Sequence, residues 1–311
     1  MSTADTRPCL PFKKKIVLLL ILSTSLVNST FADELRCENV VAEGNDPFPQ
    51  TQTYPEAFET IGRIRSWTSS LIHPPENVTD EPVRGVEDVT YAPLLNVLML
   101  FELQKESAED RPALIAHEWG HALFQFNVKF PDAMGSPVTP EAVEKNLHMW
   151  RQAALAWSKD DRERNKECYY PLVVKAAEMQ EQLQQNFAVF KWHKELEGLT
   201  EFFADVVSVL EIGRGNAMAS TNRDFTIEHT DWSYLTTVGD SHHFYDRARH
   251  YLWHKYLSKL APINRGVALK AVLNAVTSEV ARLAEISFKE DVLTSNEKLM
   301  EALDREFKGL F

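Results

Sequence analysis

Residues 110–126 read DRPALIAHEWGHALFQF, and within them stands His117-Glu118-Trp119-Gly120-His121. Asp110, with Pro112 close behind it, marks a helix start, and the helix is expected to run to about Phe126. Ile115 and Ala116 before the motif, and Ala122 and Leu123 after it, are uncharged, as a buried site helix requires. Residues four apart share a helix face, so both imidazoles can address one metal ion. Glu118 lies about 100° around the helix from His117, placed to contact a water at the metal without being a ligand.

A tetrahedral catalytic site needs a third protein ligand and an open fourth position. Residues 195–205, ELEGLTEFFAD, offer Glu201. Phe202, Phe203, Val206 and Val207 make this second helix deeply apolar, so Glu201 and Asp205 are carboxylates on a buried helix and share one face. Buried carboxylates are costly unless paired or metal-bound. The expectation is that Glu201 binds the metal and Asp205 accepts the remaining N–H of a ligand histidine. Glu195 and Glu197, close to Lys191 and Lys194, read as solvated.

Around these helices the pattern is mostly α. Phe58, Ile61, Ile64, Trp67 and Leu71 predict a helix over 56–72. Residues 86–101 read as an edge strand or hairpin interrupted by Pro93. Further helices are expected from Thr139-Pro140 to about Ser158, onward from Pro171, from about Glu195 to Ile212 with Gly213 and Gly215 ending it, and over 246–309. Thr294 and Glu297 offer the last helix a capping box. The fold class is therefore mainly α (α+β), with a small edge sheet before the site helix.

The N-terminus differs from the rest. Lys13 to Lys15, the apolar run Ile16 to Leu22, and the small residues Thr30 and Ala32 have the layout of a signal peptide over residues 1–32. That leaves a single domain over 33–311, secreted or periplasmic, with no membrane span after residue 32. The chain has 311 residues, 45 acidic against 33 basic, and a net charge of -12. Removing residues 1–32 takes one acidic and four basic groups with it and leaves -15 over 279 residues. Such an acidic balance argues against a nucleic-acid partner. Cys37 and Cys168 would remain, and two cysteines in an exported chain imply one disulfide. Asn77-Val78-Thr79 is a glycosylation sequon in a eukaryotic host.

The motif His117-Glu118-Trp119-Gly120-His121, followed by Glu201-Phe202-Phe203-Ala204-Asp205, resembles the gluzincin zinc metallopeptidases. The interval of 80 residues from His121 to Glu201 is closer to the HtpX and CAAX-prenyl-protease type than to thermolysin-like members, and Ala204-Asp205 matches that type's second motif. The resemblance covers about 110–210. It implies a zincin-like domain, one Zn²⁺ per chain held by His117, His121 and Glu201, Glu118 as general base, and a polypeptide substrate. It also implies that Tyr91 to Phe101 is an edge strand on which an extended peptide can pair. An oxyanion donor would come from residues 240–249, with His242 first and His243, Tyr245 and Arg249 behind it.

His73, His148, His193, His229, His250 and His254 read as structural. Trp150, Trp157, Trp192, Trp232 and Trp253 read as core or interface packing. Two other functions stay open on the residues alone. One is a non-catalytic exported binding or chaperone-like protein with a structural or vestigial zinc site; the other is a zinc hydrolase acting on a non-peptide amide.

Overall fold

The computed structural model describes residues 54–79, 89–101, 103–158, 162–221, 223–227 and 241–310, all within one compact unit, Gly44–Phe311. The expected signal peptide, Cys37, His229 and Trp232 lie outside the described residues. The elements in chain order are α1 (Pro55–Trp67), β1 (Val78–Thr79), β2 (Thr90–Ala92), β3 (Val97–Met99), α2 (Arg111–Asn127), α3 (Pro140–Ser158), α4 (Arg162–Asn186), α5 (Ala188–Lys191), α6 (His193–Ile212), α7 (Asp246–Lys255), α8 (Arg265–Glu285) and α9 (Val292–Phe307). No helix among the described residues is long and apolar enough to cross a membrane. The described chain is mainly helical with one small sheet.

That sheet has the order β1-β3-β2, with β1 parallel and β2 antiparallel to β3. The hairpin expected around Pro93 is present: residues 93–96 turn the chain between β2 and β3, and Asn96 takes the left-handed φ of 50° that asparagine tolerates. Thr90, Tyr91 and Ala92 face Met99, Leu98 and Val97. Every residue of β3 is buried, as its unbroken apolar run requires. Among the described residues β2 is an edge, and its free side faces α2.

The centre of the core is the crossing of α2 and α6. Gly120 lies against Ala204, so close that a Cβ on Gly120 would stand 2.6 Å from the Ala204 Cα. Ser208 Oγ donates to the Ala113 carbonyl at 2.9 Å, and Phe124 packs edge-on to Phe203 with ring centroids 5.9 Å apart. Contacts that climb α2 as they descend α6 show that the two helices run antiparallel. α1 packs on α2, α8 packs on α6, and α9 closes over α7 and α8. A second close approach sets Gly198 of α6 against Phe244, holding the segment before α7 to the same helix. Gly213 ends α6 at φ 76°, the left-handed conformation glycine adopts without a Cβ penalty.

Four local expectations are corrected. α1 stops at Trp67 instead of reaching 72, because Thr68 turns both its backbone N–H and its hydroxyl onto the Ile64 carbonyl. α4 begins at Arg162 and carries Pro171 inside it, since packing against α3 continues the helix through a residue that elsewhere marks a start. The cap of α9 is Asp291, whose side chain accepts from the Thr294 N–H, so no Thr294–Glu297 box forms. Asn77 is buried, and its amide donates to Glu144 Oε1 at 2.5 Å, so the sequon is not presented to solvent.

Gly120→Ala is expected to force α2 and α6 apart at a cost of about 1–3 kcal/mol or more. Gly62, exposed on α1 with nothing within 4 Å of an added Cβ, provides the contrast. Gly62→Ala is expected to stabilise by about 0.5–1 kcal/mol. Denaturant unfolding of both variants measures the difference.

Candidate metal centre

The antiparallel crossing brings one face of α2 against one face of α6. His117 and His121, one turn apart, present their Nε2 atoms 3.1 Å from each other. Glu201 faces both: one carboxylate oxygen is 3.3 Å from His117 Nε2 and the other 3.6 Å from His121 Nε2. Donor atoms of His117, Glu118 and His121 all lie within 4.8 Å of one another, a group that could hold a metal ion. Glu195 and Glu197 are exposed, as their neighbours predicted.

Asp205, one turn beyond Glu201, is fully buried, with Oδ1 2.8 Å from His117 Nδ1. With Nδ1 turned to Asp205, Nε2 faces the shared space, so the pair sets the orientation of the ring. Arg249 Nη2 meets the other Asp205 oxygen at 2.7 Å, and Arg223 Nη1 lies 3.2 Å from Oδ1. A buried carboxylate between two guanidiniums keeps its charge: burial pushes Asp205 upward, but Arg249, Arg223 and His117 together hold it below the usual range.

Glu118 reaches the site from the side. Its Oε2 accepts the Tyr91 N–H of β2 at 2.8 Å, and its Oε1 is 3.8 Å from His117 Nε2. The edge strand therefore orients this carboxylate by a backbone donor. Burial, with help from the Glu201 charge, raises Glu118 to about 7, against the pull of His117, the Tyr91 N–H and Arg223. Glu201 goes the other way: burial raises it, but His121 and His117 hold it well below the carboxylate range. Burial and the neighbouring His117 lower His121 to about 4. Burial and Arg223 also push His117 down, yet Asp205 and Glu201 outweigh them and lift it to about 9. A metal at these nitrogens must displace that proton, so binding weakens on acidification.

The downstream segment divides. His242 stands at the open side with 46% of its side chain exposed and Nε2 3.5 Å from Glu201 Oε2. His243 instead directs Nδ1 at Asp246, 2.9 Å away. Tyr245 is buried against Phe202, and Arg249 is buried between Asp205 and Asp246. These three support the site from behind. Cys168 is buried on α4, and Cys37, its expected partner, lies outside the described residues.

Comparison of the chain with family models, with curated proteins and with solved structures found no match.

Three contributors escaped the sequence. Arg223 sits in a short irregular stretch with no periodicity to mark it. The Tyr91 N–H is backbone and leaves no residue signature. Gly120 had a readable signal, since glycine within a helix costs about 1 kcal/mol relative to alanine and so points to a close approach.

Asp205→Ala would leave two buried guanidiniums and an imidazole without their common carboxylate. It is expected to cost about 3–5 kcal/mol in equilibrium unfolding, while Glu195→Ala on the exposed face of α6 changes stability by less than about 0.5 kcal/mol.

Proposed function

We propose that this chain is a zinc-dependent hydrolase of the gluzincin kind, with a zincin-like arrangement of its two site helices and a polypeptide substrate. One observation carries the reading. Ligand atoms held tetrahedrally at about 2.0–2.2 Å from zinc stand about 3.3–3.6 Å from one another. The Nε2 atoms of His117 and His121 stand 3.1 Å apart, and Glu201 turns one carboxylate oxygen to each of them, Oε2 at 3.3 Å from His117 and Oε1 at 3.6 Å from His121, spacings of the order such a ligand set needs. That donor set is one used by catalytic zinc sites. Glu118 is the weaker ligand candidate, because the Tyr91 amide already engages one of its oxygens.

When bound, zinc supplies Lewis-acid charge that acidifies the attacking water and polarises the scissile carbonyl. The chain's own groups do the rest. Asp205 holds His117 with Nε2 facing inward. The Tyr91 N–H fixes the Glu118 carboxylate and leaves Oε1 to take the water's proton and return it to the leaving amine. His242, exposed beside Glu201, is placed to donate to the developing oxyanion. The outer edge of β2 runs beside this base, where an extended peptide would lie. The proposal includes export through residues 1–32, and pairing of Cys37 with Cys168.

Glu118→Gln is expected to retain stoichiometric zinc while losing about 10²–10⁴-fold in peptide hydrolysis. Glu201→Ala should instead lose metal. Peptide-library digestion with and without chelator, paired with metal analysis, measures both; full activity in Glu118→Gln would remove the mechanism.

A base works only when deprotonated. With Glu118 lifted from 4.5 to about 7 by burial, protonation on acidification switches it off, so the rate should fall as pH drops through this interval. The positive charge of a bound ion moves the midpoint toward the lower end. A rate unchanged from pH 8 to pH 4 would exclude Glu118 as the base.

A further inference from the structure

Arg223 is buried, and the metal reading above gives it no part. Its backbone N–H is held by the Met218 carbonyl, and its Nε donates to Thr221 Oγ1 at 2.9 Å, so the guanidinium enters the site from a fixed root. Nη1 lies 3.2 Å from His117 Nε2 and 3.1 Å from Glu201 Oε2, with hydrogen-bond geometry to both. These are two of the atoms assigned to zinc.

In the neutral form that metal binding requires, His117 keeps its Nδ1–H toward Asp205 and its Nε2 offers a single lone pair, which accepts either a hydrogen bond or a metal bond. A guanidinium stays charged throughout the physiological range, and a buried charge interacts strongly with neighbouring charges. Arg223 thus presents a fixed positive charge, and a donor, to the same electron pairs that a divalent cation would need.

We propose that Arg223 is a built-in competing cation that sets the metal affinity of the site. The inference rests on the zinc reading and adds its regulation. Metal uptake requires Nη1 to release His117 and Glu201. Asp205 Oδ1, already 3.2 Å from the same nitrogen, leaves the guanidinium with a counter-charge once those two contacts are given up. Arg249 remains on the other Asp205 oxygen throughout, so the carboxylate that orients His117 is neutralised in both arrangements. The guanidinium keeps Glu201 compensated before metal arrives, at the expense of weaker binding afterwards. The opposite role, in which Arg223 merely holds Glu201 in place for the metal, predicts the opposite sign when the side chain is removed.

The test is zinc affinity of the full chain, measured by chelator competition without reference to activity. Wild type, Arg223→Gln, Arg223→Met and Arg223→Lys are compared, with His117→Ala as the site-deleted reference and circular dichroism to check folding. Arg223→Gln and Arg223→Met are expected to bind zinc at least about tenfold more tightly than wild type, because a repelling charge is removed. Arg223→Lys, which keeps the charge but shortens the reach and loses the fork, should fall between. Equal or weaker affinity in the neutral variants overturns the proposal while leaving the zinc reading intact. Zinc uptake by none of the proteins, or uptake undiminished in His117→Ala, overturns the zinc reading and the inference with it. If Arg223→Met does not fold without zinc, Arg223→Gln and Arg223→Lys carry the comparison, and affinity no tighter than wild type in both is the overturning result.

Discussion

The distance between α2 and α6 at Gly120 governs everything else in the site. Helix axes ordinarily pack about 8–10 Å apart, set by the side chains between them. With no side chain at Gly120 and only a methyl group at Ala204, the two backbones approach far enough for short and medium side chains to bridge them. His117, His121, Glu201 and Asp205 all lie within a turn of that contact. Their separations of about 3 Å follow from it, because each sits on a helix face whose position the crossing has already set. Ser208 on Ala113, and Phe124 on Phe203, pin the same crossing at either side.

Electrostatics imposes the second constraint. A fully buried carboxylate, Asp205, with a largely enclosed one, Glu201, on the same helix face cannot be left without counter-charges. The fold supplies Arg249 from α7 and Arg223 from an irregular stretch after α6, and through Asp205 the two share one anion. Asn296 of α9 steadies this arrangement from further out: it accepts from the Ala248 N–H and donates to the Phe244 carbonyl, tying the start of α7 in place. The C-terminal helices thus belong to the site's support even though none of their side chains lies at its centre.

The sheet contributes through its edge. Because Tyr91 pairs with Leu98 while its N–H points away from β3, that donor is spent on Glu118. A three-residue strand is a small element, but it joins the free edge of the sheet to the enclosed Glu118 carboxylate. Hairpin register decides this: a one-residue slip would turn the Tyr91 N–H into the ladder and leave Glu118 unsupported.

By itself the sequence determined the helical character of the chain, the position of the two long central helices within a residue or two, and which histidines and carboxylates meet where those helices cross. These are local properties: a period of 3.6, carboxylates among phenylalanines and valines, a glycine after a helix. It could not say which of the arginines neutralises Asp205, why Pro171 lies inside α4, or that Asp291 caps α9. It ranked His242 ahead of His243, Tyr245 and Arg249, but it could not say that the other three turn to Asp246, Phe202 and Asp205, since all four stand within a few residues of one another. Those answers depend on which side chains meet across elements far apart in the chain, and contact order of that kind leaves no periodic trace. The tertiary structure decided them by bringing Arg223, Arg249 and the Tyr91 N–H to one buried cluster of charge.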